Sequence, residues 1–151
     1  MTDRNQEVIS TLHDLIETCR DGWQEFTSGA ESIEDGNLQS VLQQYSRTRQ
    51  RFIDELTMEM RALGEARDEA ESESITGAIG RGILEVKSEV LASSPSDILA
   101  ECEVIDSTTL ETYQQALEKP LPDETRALVQ QQYRSIVASH DTLSELCRRA
   151  G

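Results

Sequence analysis

The chain has 151 residues, enough for one domain with a substantial core, and we expect a single domain over residues 1–151. Its 29 Asp and Glu against 14 Lys and Arg give a formal charge of -15, a field that repels phosphate backbones and anionic lipid headgroups. Nucleic acid and membrane surfaces are therefore excluded as expected partners, and with aromatics at 4% the core must be mostly aliphatic.

The opening "MTDRNQEVIS" lacks the basic region and apolar run of a secretory signal. No window approaches the roughly 18 apolar residues of a membrane span, so a soluble, cytoplasmic protein is expected. Cys19, Cys102 and Cys147 are odd in number, far apart, and lie on apolar helical stripes. That is the pattern of buried reduced thiols rather than of a disulfide frame or zinc knuckle.

Helix signals run almost throughout, and strand signals are missing. Ile9, Leu12, Ile16, Cys19, Trp23 and Phe26 are spaced by three and four, predicting a first helix that runs into the polar turn "SIEDGN". A second helix carries Leu38, Val41, Leu42, Tyr45, Phe52, Leu56, Met60 and Leu63, with Gly64 placed just past its C-terminus. The acidic "EARDEAESES" reads as a solvated connection, after which Ile75, Ile79, Ile83, Val86 and Val90 predict a shorter amphipathic helix. In "SSPSD", Ser94 can cap, Pro95 suits the first helical position, and Asp97 favours the positive end of the helix dipole, predicting a third long helix to about Glu118. After "KPLPDE", a fourth long helix has Asp123 and Glu124 in its first turn and Arg148 and Arg149 in its last, the charge order its dipole favours.

Each long segment covers roughly 24 to 30 residues, or about 35 to 45 Å at 1.5 Å per residue, so the four should lie side by side. The first and last connections are short and force antiparallel pairs. The middle one, of about 30 residues, can travel the length of the bundle and set the second and third long helices parallel, the one-crossover topology. An up-down-up-down bundle is the alternative.

The strings "LHDLIETCRDG", "ILAECEVIDSTTLETYQQALE" and "LPDETRALVQQQYRSIVASHDTL", with "ITGAIGRGILEVKS" before the third long helix, resemble a bacterial ferritin-like four-helix-bundle family of uncharacterised function. The resemblance covers nearly the whole chain and implies an all-α, ferritin-like bundle whose crossover contains a fifth helix. It supplies no activity; the wider superfamily suggests a stress or storage setting by analogy only.

Ferritin-like bundles that handle iron or oxygen offer a specific test: one Glu from each of two helices and Glu-x-x-His from each of the other two, enough carboxylates and imidazoles for two hard cations. Counting from the turns places Glu25, Tyr45, Thr48, Glu103, Asp106 and His140 near one level. Leu99, Glu103, Asp106, Leu110 and Tyr113 follow a four-three spacing, so Glu103 and Asp106 are expected to point inward. His140 is in line with Ile136 and Leu143.

The set is incomplete for two metals. Val137 stands where Glu should precede His140, and Tyr45-x-x-Thr48 replaces Glu-x-x-His. Glu55 and Glu59 have Met58 and Ala62 three residues on, and Glu17 and Glu25 flank the apolar stripe. A single iron, manganese or zinc at Glu103, Asp106 and His140, with Glu25 or Tyr45 contributing, is chemically feasible. The plainer reading has His140 donating to Glu103 or Asp106 inside the core, with no cofactor. His13 sits on the flank of the first helix.

"GAIGRG" lacks a preceding strand and a following Lys-Ser or Lys-Thr, so Gly77 and Gly80 are read as close-packing positions of the crossover helix. No Gly-x-Ser-x-Gly is present, and Cys147 is two helical turns from His140, about 10 Å of rise and too far for a nucleophile and its base. Two functions follow: a non-catalytic bundle acting by association with itself or a partner protein, or a metal-dependent protein with a degenerate site.

Overall fold

The computed structural model describes residues 2–64 and 94–150, and the elements in them are four helices: α1 (Thr2–Ser32), α2 (Gly36–Ala62), α3 (Pro95–Leu117) and α4 (Asp123–Ala150). The helix expected over Ile75–Val90, the acidic run from Glu65 and the "GAIGRG" stretch lie outside the described residues.

The helix ends form for the reasons the sequence offers. Asp35 caps α2, its carboxylate accepting from Asn37 N at 2.9 Å and Leu38 N at 3.1 Å, while Ile33 in the turn is buried. Gly64 takes φ 105°, a left-handed conformation costly for a residue with a Cβ, and its N–H donates to the Arg61 carbonyl at 3.0 Å. Ser94 Oγ accepts from Asp97 N at 3.2 Å with Pro95 in the first turn of α3. At the other end of α3, Arg126 closes orphan carbonyls, donating to Leu117 O at 2.9 Å and Lys119 O at 2.7 Å.

Cross-helix contacts fix the directions. Gly22 meets Arg49 while Gly29 meets Leu42, so α1 and α2 are antiparallel; Gly29 also meets Ile98 while Thr18 meets Thr109, so α1 and α3 are antiparallel as well. Hence α2 and α3 run parallel, the one-crossover arrangement rather than up-down-up-down. Glu59 meets Thr125 and Glu55 meets Gln132, setting α4 antiparallel to α2.

The interior divides into two apolar clusters. One gathers Leu12, Leu15, Ile16, Phe52, Leu56, Tyr113, Val129 and Ile136 towards the α3–α4 turn. The other gathers Phe26, Ile33, Leu42, Ile98, Leu99, Cys102 and Leu143 towards the α1–α2 turn. On every helix the residues between the two clusters belong to one layer: Gly22, Arg49, Asp106 and Ser139.

Candidate functional site: an ion pair across the bundle centre

Arg49 is 2% exposed and lies on the inward face of α2, four residues from Tyr45 and three from Phe52. Its Nη2 donates to Asp106 Oδ1 in a charge-assisted pair, and Asp106 is 0% exposed. Ser139 Oγ lies 3.1 Å from Asp106 Oδ2 and 2.9 Å from the Ile136 carbonyl, its single proton serving either acceptor. The guanidinium stands 5.1 Å from the Phe26 ring centroid, a cation–π contact, and Phe26 meets Tyr45 edge-on at 5.5 Å.

Space for this pair comes from Gly22. A Cβ added there would fall 2.5 Å from Arg49 Nη1, so any larger residue would force the guanidinium to shift. Nη1 itself is buried without a hydrogen-bond partner. Gly29 acts similarly one cluster along, where a Cβ would meet Ile98 at 3.0 Å and Leu42 at 3.2 Å.

A second polar connection uses one side chain from each helix. Cys19 Sγ on α1 is 3.1 Å from Tyr113 Oη on α3, whose hydroxyl donates to Gln132 Oε1 on α4 at 2.7 Å; Gln132 Nε2 then donates to Glu55 Oε1 on α2 at 2.9 Å. With its proton given to Gln132, Tyr113 is left to accept from the Cys19 thiol. Burial pushes the Cys19 thiol up to about 11 and Tyr113 well above the ordinary phenol. Neither group ionises near neutrality.

Of the residues expected at one level, Asp106 is inward as anticipated, but it is paired to Arg49 and Ser139 rather than to His140. Glu103 is half-buried beside the inward face. The buried stripe of α3 runs Cys102, Asp106, Thr109, Tyr113, and Glu103 instead pairs with Ser144 and faces Cys147 on α4. His140 is displaced by one residue in the same way: Gln132, Ile136, Ser139 and Leu143 form the buried stripe of α4, and His140 is half-buried with Nδ1 unpartnered. Neither acid is its hydrogen-bond partner.

Tyr45 is half-buried with its phenol raised, first by burial and then modulated by a hydrogen bond to Thr142. Thr48 donates to the Gln44 carbonyl of its own helix at 3.0 Å. Glu25 faces Glu101 across the α1–α3 seam; burial, then the charge and hydrogen bond of Glu101, push its carboxyl up to about 7. His13 is half-buried on α1.

Among the described residues, no three His, Cys, Asp or Glu side chains stand together so that they could hold a metal ion. Glu103 is engaged by Ser144 and Asp106 by Arg49 and Ser139, while His140 Nδ1 has no partner. The thiols of Cys19, Cys102 and Cys147 are free, and all are raised chiefly by burial, Cys147 to about 11, so none is a ready thiolate nucleophile. What the sequence reading missed was Arg49. The signal was present: the apolar list for α2 skips from Tyr45 to Phe52, and the position that completes the stripe is an arginine.

Among the described residues, no helix is long and apolar enough to cross a membrane. No curated protein matches the chain. A similar solved structure is the two-domain protein from Anabaena variabilis ATCC 29413 that contains DJ-1/ThiJ/PfpI-like and ferritin-like domains. The two superpose with a TM-score of 0.83 at 16% identity, over 97% of this chain and 40% of that one, so this chain spans well under half of that protein's length. The likeness establishes a ferritin-like fold, as the resemblance implied. The domain of unknown function DUF2383 matches residues 7–119, three quarters of the sequence, and the chain belongs to that family.

Proposed function

We propose that this protein is a non-catalytic ferritin-like bundle that works by association, with a second copy or with a partner protein. The observation that carries this reading is the Arg49–Asp106 pair. At the centre of the bundle, where a dinuclear site would need several carboxylates and imidazoles to converge, one carboxylate is neutralised by a buried guanidinium. A cation is already supplied by the chain.

Three further observations support association. Met58 and Val104 are large apolar side chains 68% and 64% exposed on α2 and α3. The acidic surface of a chain with charge -15 suits a partner with a basic face. In the Anabaena protein the ferritin-like domain accompanies a different domain in one chain, an arrangement consistent with an accessory module. Three free thiols suit a reducing, cytoplasmic setting; a stress-related role rests on fold analogy alone.

The competing reading is a single iron or manganese at Glu103, Asp106 and His140, with Glu25 or Tyr45 contributing. It is favoured by one feature, the unpartnered Nδ1 of His140. It requires Asp106 to leave Arg49, stranding a buried cation, a cost of several kcal/mol. Elemental analysis after anaerobic incubation with iron(II), manganese(II) or zinc(II), beside light scattering of the same samples, separates the two. Association without stoichiometric metal is expected; about one metal per wild-type chain and none in His140→Ala would overturn the proposal.

A further inference from the structure

α2 and α3 occupy opposite corners of the bundle, each packed between α1 and α4, and each turns one stripe away from the core. On α2 the outward stripe is Arg47, Arg51, Asp54, Met58 and Arg61, all exposed and spaced by four and three. On α3 it is Asp97, Glu101, Val104, Thr108, Glu111 and Gln115, exposed at the same spacing and continued by Glu118 at the helix end. No Lys or Arg occurs between Pro95 and Leu117. One stripe is arginine-rich around a methionine, and the other is acidic around a valine.

Met58 and Val104 are large apolar side chains left 68% and 64% exposed. Setting them opposite each other in an antiparallel helix pair fixes every other position. Arg61 then meets Glu101, Arg51 meets Glu111, Asp54 meets the neutral Thr108, and Arg47 meets Gln115 with Glu111 and Glu118 one turn to either side. No like charges stand opposite. A parallel pairing about the same two residues puts Arg61 opposite Ser107 and Arg47 beyond the start of α3, so only Arg51, opposite Asp97, keeps an acid.

These side chains are free to change partners. Arg47, Arg61, Glu111 and Glu118 make no side-chain hydrogen bond or ion pair with another described residue. Arg51 has the exposed Glu55 at 3.8 Å, a weak pair, and Glu101 bonds Glu25 at its own edge of the stripe. We infer that α2 of one copy packs antiparallel on α3 of a second copy, Met58 against Val104, with the arginines of α2 along the acids of α3. This rests on the association reading and names its partner. The stripes face opposite ways, so each copy gives α2 to one neighbour and α3 to another, and the contact propagates as a ring or chain instead of closing as a two-fold dimer. Exposed ion pairs add little affinity and fix the register instead. Repulsion between copies of charge -15 is screened beyond about 8 Å at about 0.15 M salt.

The test is sedimentation equilibrium of the full chain at that salt, on the wild type, Arg47→Glu/Arg51→Glu, Glu111→Arg/Glu118→Arg, and an equimolar mixture of the two variants. All four substitutions are on the exposed surface, and thermal melts check that both variants fold. A single helix pair is a small interface, so a wild-type Kd of about 0.1 to 1 mM is expected. Each variant alone sets like charges opposite and should stay at the monomer mass of 16.9 kDa, at least tenfold weaker in association. The mixture should recover, because the acidic α2 of one variant meets the basic α3 of the other while the remaining stripes keep their native charges. Both variants stay net negative, so recovery does not come from net charge. Variants that associate like the wild type, or a mixture that stays monomeric, would overturn this surface and leave association by another face standing. A wild type that is monomeric up to about 1 mM would overturn the surface and also remove the second copy from the association reading.

Discussion

The two apolar clusters and the layer between them obey different physics. In the clusters, Leu12, Leu56, Ile98 and Leu99 stabilise in proportion to the apolar area they remove from water, and one aliphatic residue can replace another at modest cost. In the layer, Arg49 and Asp106 have each lost hydration, and their mutual attraction roughly offsets that loss, so the pair contributes little net stability while each member depends wholly on the other. The clusters make the bundle stable; the layer restricts which helices can sit together. In this bundle, with α2 and α3 both antiparallel to α1, Arg49, Asp106 and Gly22 meet at one level.

Removing one member of the pair should give the largest effect. Asp106→Ala leaves a buried guanidinium uncompensated and should lower unfolding free energy by about 3 to 5 kcal/mol, read from urea denaturation. A loss near zero would mean water already reaches the pair. Next comes Gly22→Ala, where the new methyl meets Arg49 Nη1; a cost of about 1 to 3 kcal/mol is expected in the wild type, and less in an Arg49→Met background where the clashing group is gone.

Glu25 gives a pH dependence of definite sign. Its carboxyl is raised from 4.5 to about 7 by burial and by Glu101, with the Cys102 thiol of α3 also in its field. Between those values the folded chain holds a proton that the unfolded chain releases. Stability contributed here therefore falls as pH rises from 4.5 to 7. After allowance for solvent at this half-exposed seam the effect is about 1 kcal/mol, and Glu25→Gln should flatten it in a series of melts across that range.

The smallest effect is expected at the residue on which a metal site would turn. His140→Ala removes a half-buried ring whose Nδ1 bonds nothing, and should cost about 0.5 to 1 kcal/mol. A loss above about 2 kcal/mol would reveal a hydrogen bond or ligand role that this geometry does not contain.

The helices, their caps and their directions were legible because they depend on local spacing and on chain length. Ser94 with Pro95, Gly64, and the Arg148 and Arg149 end of α4 act within one turn of their own helix. The site was legible only in part, because facing depends on helix phase to within one residue, about 100° of rotation. Asp106 faces inward as expected; Glu103 and His140 each lie one position from the residue that faces inward, Cys102 and Ser139. Arg49 was overlooked because a charged side chain is rarely buried without a partner, and its partner is 57 residues away.

The most direct test of the central ion pair is a double-mutant cycle of Arg49→Met, Asp106→Leu and the double variant, measured by urea denaturation. If the pair fills the bundle centre as described, both single variants are strongly destabilised and the double variant recovers to near wild-type stability, a coupling of several kcal/mol. Additive losses, with no recovery in the double variant, would contradict it and show that the two charges are held by something other than each other.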